Sequence, residues 1–318
     1  MAKLDIVVAA GPWDPEPWRE AFERKADGRR VRVWPDDGAV PGDAPYVVSA
    51  WKADPSVFEQ AVEPAAVFSL GAGVDHLQPL ESKPHIPVGR IVDPDLTMRM
   101  VEYVSFAVLY LHRKIRAYEA SQAQRRWAPL SQPAASSVCV GIMGVGVLGT
   151  ACAEMLQKMG FQVVGWARSK REHSAFQVFA GQEELPEFLS RTNILVSLLP
   201  STPATKGLIN MKVFRGLGHS SGLGAPCFVS AGRGEAVAEP DLIQALDEGV
   251  LGGAVLDVFE VEPLPSDSPL WTFPNVLVTP HVAADSYPEV VVEQIIRNIE
   301  RLEAGQGIAQ RVDLARGY

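Results

Sequence analysis

The chain has 318 residues, 47% of them apolar and 21% charged, and its 29 basic and 38 acidic side chains give a formal charge of −9. That length suits about two domains, and the composition supplies enough apolar surface for real cores, which excludes a disordered, collagen-like or linker-like chain. The acidic balance offers no footprint for nucleic acid or an anionic membrane, so an anionic ligand has to be met by a local cluster of positive groups.

The cysteines, Cys139, Cys152 and Cys227, are scattered and form no C-x-x-C pair. This predicts a reducing, cytoplasmic setting with neither disulfide framework nor metal site. The N-terminus is read as carrying no secretory signal, and the longest apolar stretch, 101–111, is too short to span a bilayer.

Taken in chain order, strands are predicted at 4–9, 30–34, 46–49 and 65–70, with a helix over 18–25. This alternation predicts a parallel sheet covered by helices on both faces. Pro94 heads a long helical pattern over 98–120, in which Val101, Val104, Val108, Leu111 and Ile115 recur at helical spacing. A polar stretch with Trp127, Pro129 and Pro133 follows. A second β/α series then opens with a strand at 138–143, a helix over 148–159 and a strand at 162–167. Further strands are predicted at 194–198, 227–230, 254–257 and 276–279. A helix over 241–248 is led by Glu239-Pro240 and stopped by Gly249, and a last helix over 289–303 is stopped by Gly305. The glycine-rich stretch 216–226 reads as a loose loop with no assigned role. No internal repeat of 20–50 residues is present.

Gly144-Val145-Gly146-Val147-Leu148-Gly149 matches G-x-G-x-x-G. The spacing alone is a weak signal, but here it follows an apolar strand and opens a helix, as a dinucleotide site requires. Gly144 permits the tight turn, Gly146 lets a pyrophosphate approach the backbone, and Gly149 lets helix and strand pack closely. The free N–H groups and dipole of the helix start then meet the anion. At the end of the next strand, where an NAD site carries an acid for the ribose 2′-hydroxyl, the chain reads Ala167-Arg168-Ser169-Lys170-Arg171, with no acid before Glu172. Arg168 and Ser169, assisted by Lys170 or Arg171, suit a 2′-phosphate, which predicts NADPH in preference to NADH.

Three further predicted strand ends carry chemistry. His281 follows 276–279 and Pro280, Arg233 lies in Ala231-Gly232-Arg233-Gly234 after 227–230, and Glu260 and Glu262 follow 254–257. Open α/β sheets bind ligands at the carboxyl ends of their strands, so a guanidinium, a carboxylate and an imidazole are expected at one crevice.

In order, Gly71-Ala72-Gly73-Val74-Asp75, the glycine fingerprint, Leu198-Leu199-Pro200-Ser201-Thr202-Pro203, Gly232-Arg233-Gly234, Leu256-Asp257-Val258-Phe259-Glu260-Val261-Glu262-Pro263 and Thr279-Pro280-His281-Val282-Ala283-Ala284 run nearly the whole chain. In this the chain resembles the D-isomer-specific 2-hydroxyacid dehydrogenases. Trp51-Lys52, Gly89-Arg90-Ile91-Val92-Asp93-Pro94 and Pro269-Leu270-Trp271 resemble the glyoxylate/hydroxypyruvate reductase A branch within it.

The resemblance implies two doubly wound parallel-sheet domains, a Rossmann cofactor domain (99–287) inserted into a flavodoxin-like substrate domain (1–98 and 288–318). It implies NAD(P)H-dependent reduction of small 2-oxo acids such as glyoxylate and hydroxypyruvate to glycolate and D-glycerate, by a homodimer. Arg233 would bind the substrate carboxylate and polarise the 2-oxo group, His281 would donate the proton, and Glu262 would hold the imidazolium. Gly73 and Val74 would offer backbone N–H groups to the carboxylate, and Trp51 would wall the pocket. Val147, Leu148, Leu199, Pro200, Thr205 and Ala231 would line the cofactor, with Asp257 at the nicotinamide carboxamide. Phe228-Val229-Ser230-Ala231 stands where the family usually has Asn two or three positions ahead of Gly-Arg-Gly; Ser230 can still hydrogen-bond, so tuning and not loss is expected. Two other readings stand beside this one: a dehydrogenase of bulkier 2-oxo acids, and a dinucleotide-sensing binding protein like the C-terminal-binding-protein corepressors, which share the fold.

Overall fold

The computed structural model describes residues 3–38, 44–50, 52–59, 63–170, 173, 175–220 and 222–314. Trp51 and Arg171 lie outside the described residues. The chain divides into two compact units, Met1–Leu96 with Asp285–Tyr318, and Thr97–Ala284. Among the described residues no helix is long and apolar enough to cross a membrane.

The first unit is built on a five-stranded sheet of β1 (Ile6–Ala9), β2 (Val31–Val33), β3 (Tyr46–Ser49), β4 (Ala66–Ser69) and β5 (Val88–Gly89), ordered β2-β1-β3-β4-β5. All its pairings are parallel. Strands β1, β3 and β4 are buried on both faces, which is why they read as unbroken apolar runs and not as alternating ones. Helix α1 (Glu16–Lys25) lays Trp18, Ala21 and Phe22 into one of the unit's two cores. The last helix, α8 (Pro288–Glu303), brings Val291, Val292, Ile295, Ile296 and Ile299 to the same core. Each of these buried aliphatic side chains contributes about 1.5–3 kcal/mol relative to exposure. The buried Arg29 guanidinium reaches Glu303 at 2.7 Å and ties the end of α8 to the sheet.

The second unit carries a seven-stranded parallel sheet of β6 (Cys139–Met143), β7 (Gln162–Ala167), β8 (Gln177–Ala180), β9 (Ile194–Ser197), β10 (Cys227–Ser230), β11 (Gly253–Leu256) and β12 (Val276–Val278). The order is β12-β11-β10-β9-β6-β7-β8. The chain winds outward from β6 in one direction and from β9 in the other, so the topological switch lies between these two strands. Helices α4 (Val147–Lys158), α5 (Gly181–Arg191), α6 (Met211–Gly216) and α7 (Glu239–Asp247) complete the winding, with apolar clusters on both sheet faces.

Three sequence expectations change. The pattern over 98–120 is two helices, α2 (Pro94–His112) and α3 (Ile115–Ala123), parted at Lys114, whose φ of 55° is left-handed. Apolar periodicity persists across the break because Ile115 keeps the phase. Helix α5 carries Pro186 within it and β8 is a short edge strand, so neither shows as a clean pattern. The 216–226 stretch is no loose loop where described: Gly218 N–H is shared between the carbonyls of Leu189 and Thr192, and Gly224 N–H bonds to Ser220 O at 2.9 Å.

Candidate active site

At the switch point, the turn after β6 opens α4. Gly144 sits at φ 102°, and a Cβ there would stand 2.7 Å from the Leu198 carbonyl oxygen. At Gly149 a Cβ would collide with the Gly144 carbonyl. Only glycine serves at either position. Gly146 is the N-cap of α4 and supplies no side-chain cap, and nothing lies within 4 Å of where its Cβ would be. The first-turn amides are thus openly approached, Val147 is exposed, and Leu148 is half-buried against the core. A pyrophosphate fits this helix start on both shape and dipole.

Arg168, Ser169 and Lys170 are all exposed just past β7, with no carboxylate among them. Beyond β9, Leu199 is buried, and the Thr205 hydroxyl closes the next turn by donating to Pro200 O at 2.6 Å. Ala231 is buried, and its N–H bonds to Ser197 O at 3.1 Å.

Arg233 follows β10 in a half-buried position, where its Nη1 donates to Gly232 O at 2.9 Å. After β11 the chain places Glu262 so that Oε1 accepts the Phe259 N–H at 2.9 Å while Oε2 meets His281 Nδ1 at 2.8 Å. The Glu262 side chain is only 12% exposed and that of His281 31%. The carboxylate therefore fixes the ring through Nδ1. Sequence parity left Glu260 and Glu262 equivalent along an extended segment; the bond to His281 belongs to Glu262, and the Glu260 N–H turns instead to Glu239.

Asp257 is fully buried. Its Oδ1 accepts the Thr279 hydroxyl at 2.6 Å and the Val282 N–H at 2.9 Å, and its Oδ2 accepts the Ala283 N–H at 3.0 Å. The sequence pointed to the nicotinamide carboxamide for this residue, but gave no sign of this grip on the turn that carries His281. The Ser230 hydroxyl has no hydrogen-bond partner among the described residues. Its backbone carbonyl instead accepts the Asp257 N–H at 2.9 Å.

In the first unit, Gly71–Val74 follows β4. The Ser69 hydroxyl donates to Gly73 O at 2.7 Å and accepts the Gly71 N–H at 3.2 Å, which gives the glycine loop a defined course. His76 Nε2 meets Ser49 O at the end of β3 at 3.1 Å.

Among the described residues no group of three or more His, Cys, Asp or Glu side chains could hold a metal ion. The three cysteines are free and buried, and burial pushes the thiols up, to about 11 for Cys139 and about 12 for Cys152 and Cys227.

A doubly wound sheet with a glycine turn at its switch point, and an imidazole–carboxylate pair on neighbouring strand ends, defines a dinucleotide-dependent oxidoreductase type of site. Residues 106–283 match the model of the D-isomer specific 2-hydroxyacid dehydrogenase NAD binding domain, and the chain belongs to that family. It is 40% identical, over 99% of its length and all of the relative's, to glyoxylate/hydroxypyruvate reductase A of Klebsiella pneumoniae strain 342. Among solved structures it is similar to the NADPH-dependent glyoxylate/hydroxypyruvate reductase of Sinorhizobium meliloti in complex with NADP and sulfate. That pair shares 42% identity with a TM-score of 0.92, over 99% of this chain and all of the other. A D-isomer specific 2-hydroxyacid dehydrogenase from Xanthobacter autotrophicus Py2, in complex with NADPH and MES, matches at 38% identity and a TM-score of 0.91 over the whole of both chains.

Proposed function

We propose that this chain is an NADPH-preferring reductase of small 2-oxo acids, with glyoxylate and hydroxypyruvate as substrates and glycolate and D-glycerate as products. The observation that carries the reading is the 2.8 Å His281–Glu262 pair at the strand ends of a dinucleotide-binding sheet. The names of the similar reductases support the substrate class, and their NADP and NADPH complexes support the cofactor.

With a nicotinamide cofactor held by the glycine turn, the hydride for the carbonyl carbon of the 2-oxo acid would come from that cofactor. His281 gives its Nε2 proton to the carbonyl oxygen, and Glu262 stabilises the imidazolium before the transfer and keeps the ring oriented after it. Arg233 engages the substrate carboxylate and 2-oxo group with its planar fork. The family resemblance assigns Gly73, Val74 and Trp51 to substrate binding as well. The first-turn amides after Gly146 hold the pyrophosphate, and Arg168 and Ser169 hold the 2′-phosphate. Leu199, Pro200, Thr205, Ala231 and Asp257 complete the cofactor pocket.

A panel of 2-oxo acids assayed with both cofactors tests the whole reading. Fast NADPH oxidation with glyoxylate and hydroxypyruvate, abolished in Arg233→Ala and His281→Ala, is expected; a clear preference for NADH or for bulky 2-oxo acids overturns the corresponding part. No turnover with any 2-oxo acid would favour a dinucleotide-sensing binding protein. The chain acts in the cytoplasm as a homodimer, a reading supported by the exposed Phe106, Leu109 and Trp127 of the second unit and by its free, buried cysteines. A monomer mass by light scattering would remove the dimer.

A further inference from the structure

His281 has a left-handed backbone, φ 55°, which an L-residue adopts only when its surroundings impose it. Several bonds hold it there. The His281 N–H is shared between Asp257 O at 2.9 Å and Thr279 O at 3.1 Å. Two residues before it, the Thr279 hydroxyl binds the Asp257 carboxylate; one and two residues after it, the N–H groups of Val282 and Ala283 bind the same carboxylate. Asp257 therefore clamps both flanks of the turn.

A fourth residue reaches this clamp from α2. The Tyr103 hydroxyl lies 2.6 Å from Thr279 Oγ1. A carboxylate only accepts, so the single hydroxyl proton of Thr279 is committed to Asp257, and the proton between Tyr103 and Thr279 must come from Tyr103. Burial raises the phenol well above its ordinary value, aided by the nearby Asp257 charge, and so keeps it protonated as a donor. The chain runs in one direction, from Tyr103 O–H to Thr279 O–H to the Asp257 carboxylate, and each bond polarises the next.

We propose that Tyr103 is a positioning residue for His281, acting through Thr279 and Asp257 to hold the turn in the conformation that seats the imidazole on Glu262. This rests on the reading of His281 as the proton donor. A donor displaced by a fraction of an ångström transfers its proton slowly while substrate and cofactor still bind. Loss of the phenol oxygen is therefore a defect in turnover and not in binding.

Tyr103→Phe removes that one oxygen and keeps the ring. With NADPH and a 2-oxo acid, its kcat is expected to fall about three- to tenfold while the KM for the acid and the Kd for NADPH stay within about twofold. Thr279→Val, which removes the central hydroxyl, is expected to lose more, and Thr279→Ser to regain most of that loss. A second readout needs no turnover. In cofactor-free protein labelled with 15N-histidine, the Nδ1–H resonance of the His281–Glu262 bond is expected to broaden or move upfield in Tyr103→Phe. An unmoved resonance with wild-type kcat overturns the proposal, as does a kcat loss matched by equal losses in NADPH affinity and Tm, which would make Tyr103 a packing residue. An inactive His281→Ala beside an unaltered Tyr103→Phe removes the positioning role alone. An active His281→Ala removes the reading of His281 itself.

Discussion

The two parallel sheets follow the same winding rule and differ in what their strand ends carry. In the five-stranded sheet, the ends of β3 and β4 lead to backbone-rich turns, where Ser69 shapes the Gly71–Val74 loop and His76 is engaged with Ser49. In the seven-stranded sheet, the ends of β6, β10, β11 and β12 lead to a glycine turn, a guanidinium, a buried carboxylate and an imidazole. Winding makes the platform, and the turn residues make the chemistry. If so, damage to the first sheet's core should cost stability, and damage to the second sheet's turns should cost turnover or cofactor affinity.

The sharpest break is His281→Ala, expected to lower kcat/KM by about 10²–10⁴ with NADPH affinity unchanged, measured by steady-state kinetics and cofactor titration. Next in size is Ile295→Ala, which empties a fully buried site on α8 and should cost about 2–5 kcal/mol in denaturant unfolding while sparing NADPH affinity. Arg168→Ala removes one charged partner of the 2′-phosphate and should weaken NADPH roughly ten- to hundredfold with little change for NADH.

The smallest effect concerns His112, whose ring lies edge-on to Phe161 at 5.0 Å. Burial, with Arg113 and Lys114 nearby, lowers its pKa. Below about pH 6.5 the unfolded chain takes up a proton that the folded chain refuses, so this group subtracts stability as pH falls from 6.5 towards the folded value. A His112→Gln variant should show a flatter fall in unfolding midpoint between pH 7.5 and 5.5 than the wild type.

Much of the molecule was legible in the order of residues. The strands β3, β7 and β10 were readable to their ends because parallel strands buried on both faces are continuous apolar runs bounded by turn residues. The glycine fingerprint was readable because its place between strand and helix restricts what it can do. The break at Lys114 was not, because a single left-handed residue leaves no trace in hydrophobic phase. Strand β8 and helix α5 were missed because an edge strand and a helix containing proline lack the usual signatures.

The sequence by itself determined the two wound series, the glycine turn, the basic end of β7, and the presence of Arg233 and His281 at strand ends, because each is a local pattern of a few neighbouring residues. Parity left Glu260 and Glu262 equal and the family resemblance chose Glu262; the tertiary structure supplied its bond to His281, gave Asp257 its grip on the His281 turn, and brought Tyr103 to Thr279 across 176 positions of chain. The physical reason is that a hydrogen bond depends on distance and direction in space. Parity along a strand or phase along a helix fixes which face a side chain takes, and the packing of distant elements then selects its partner.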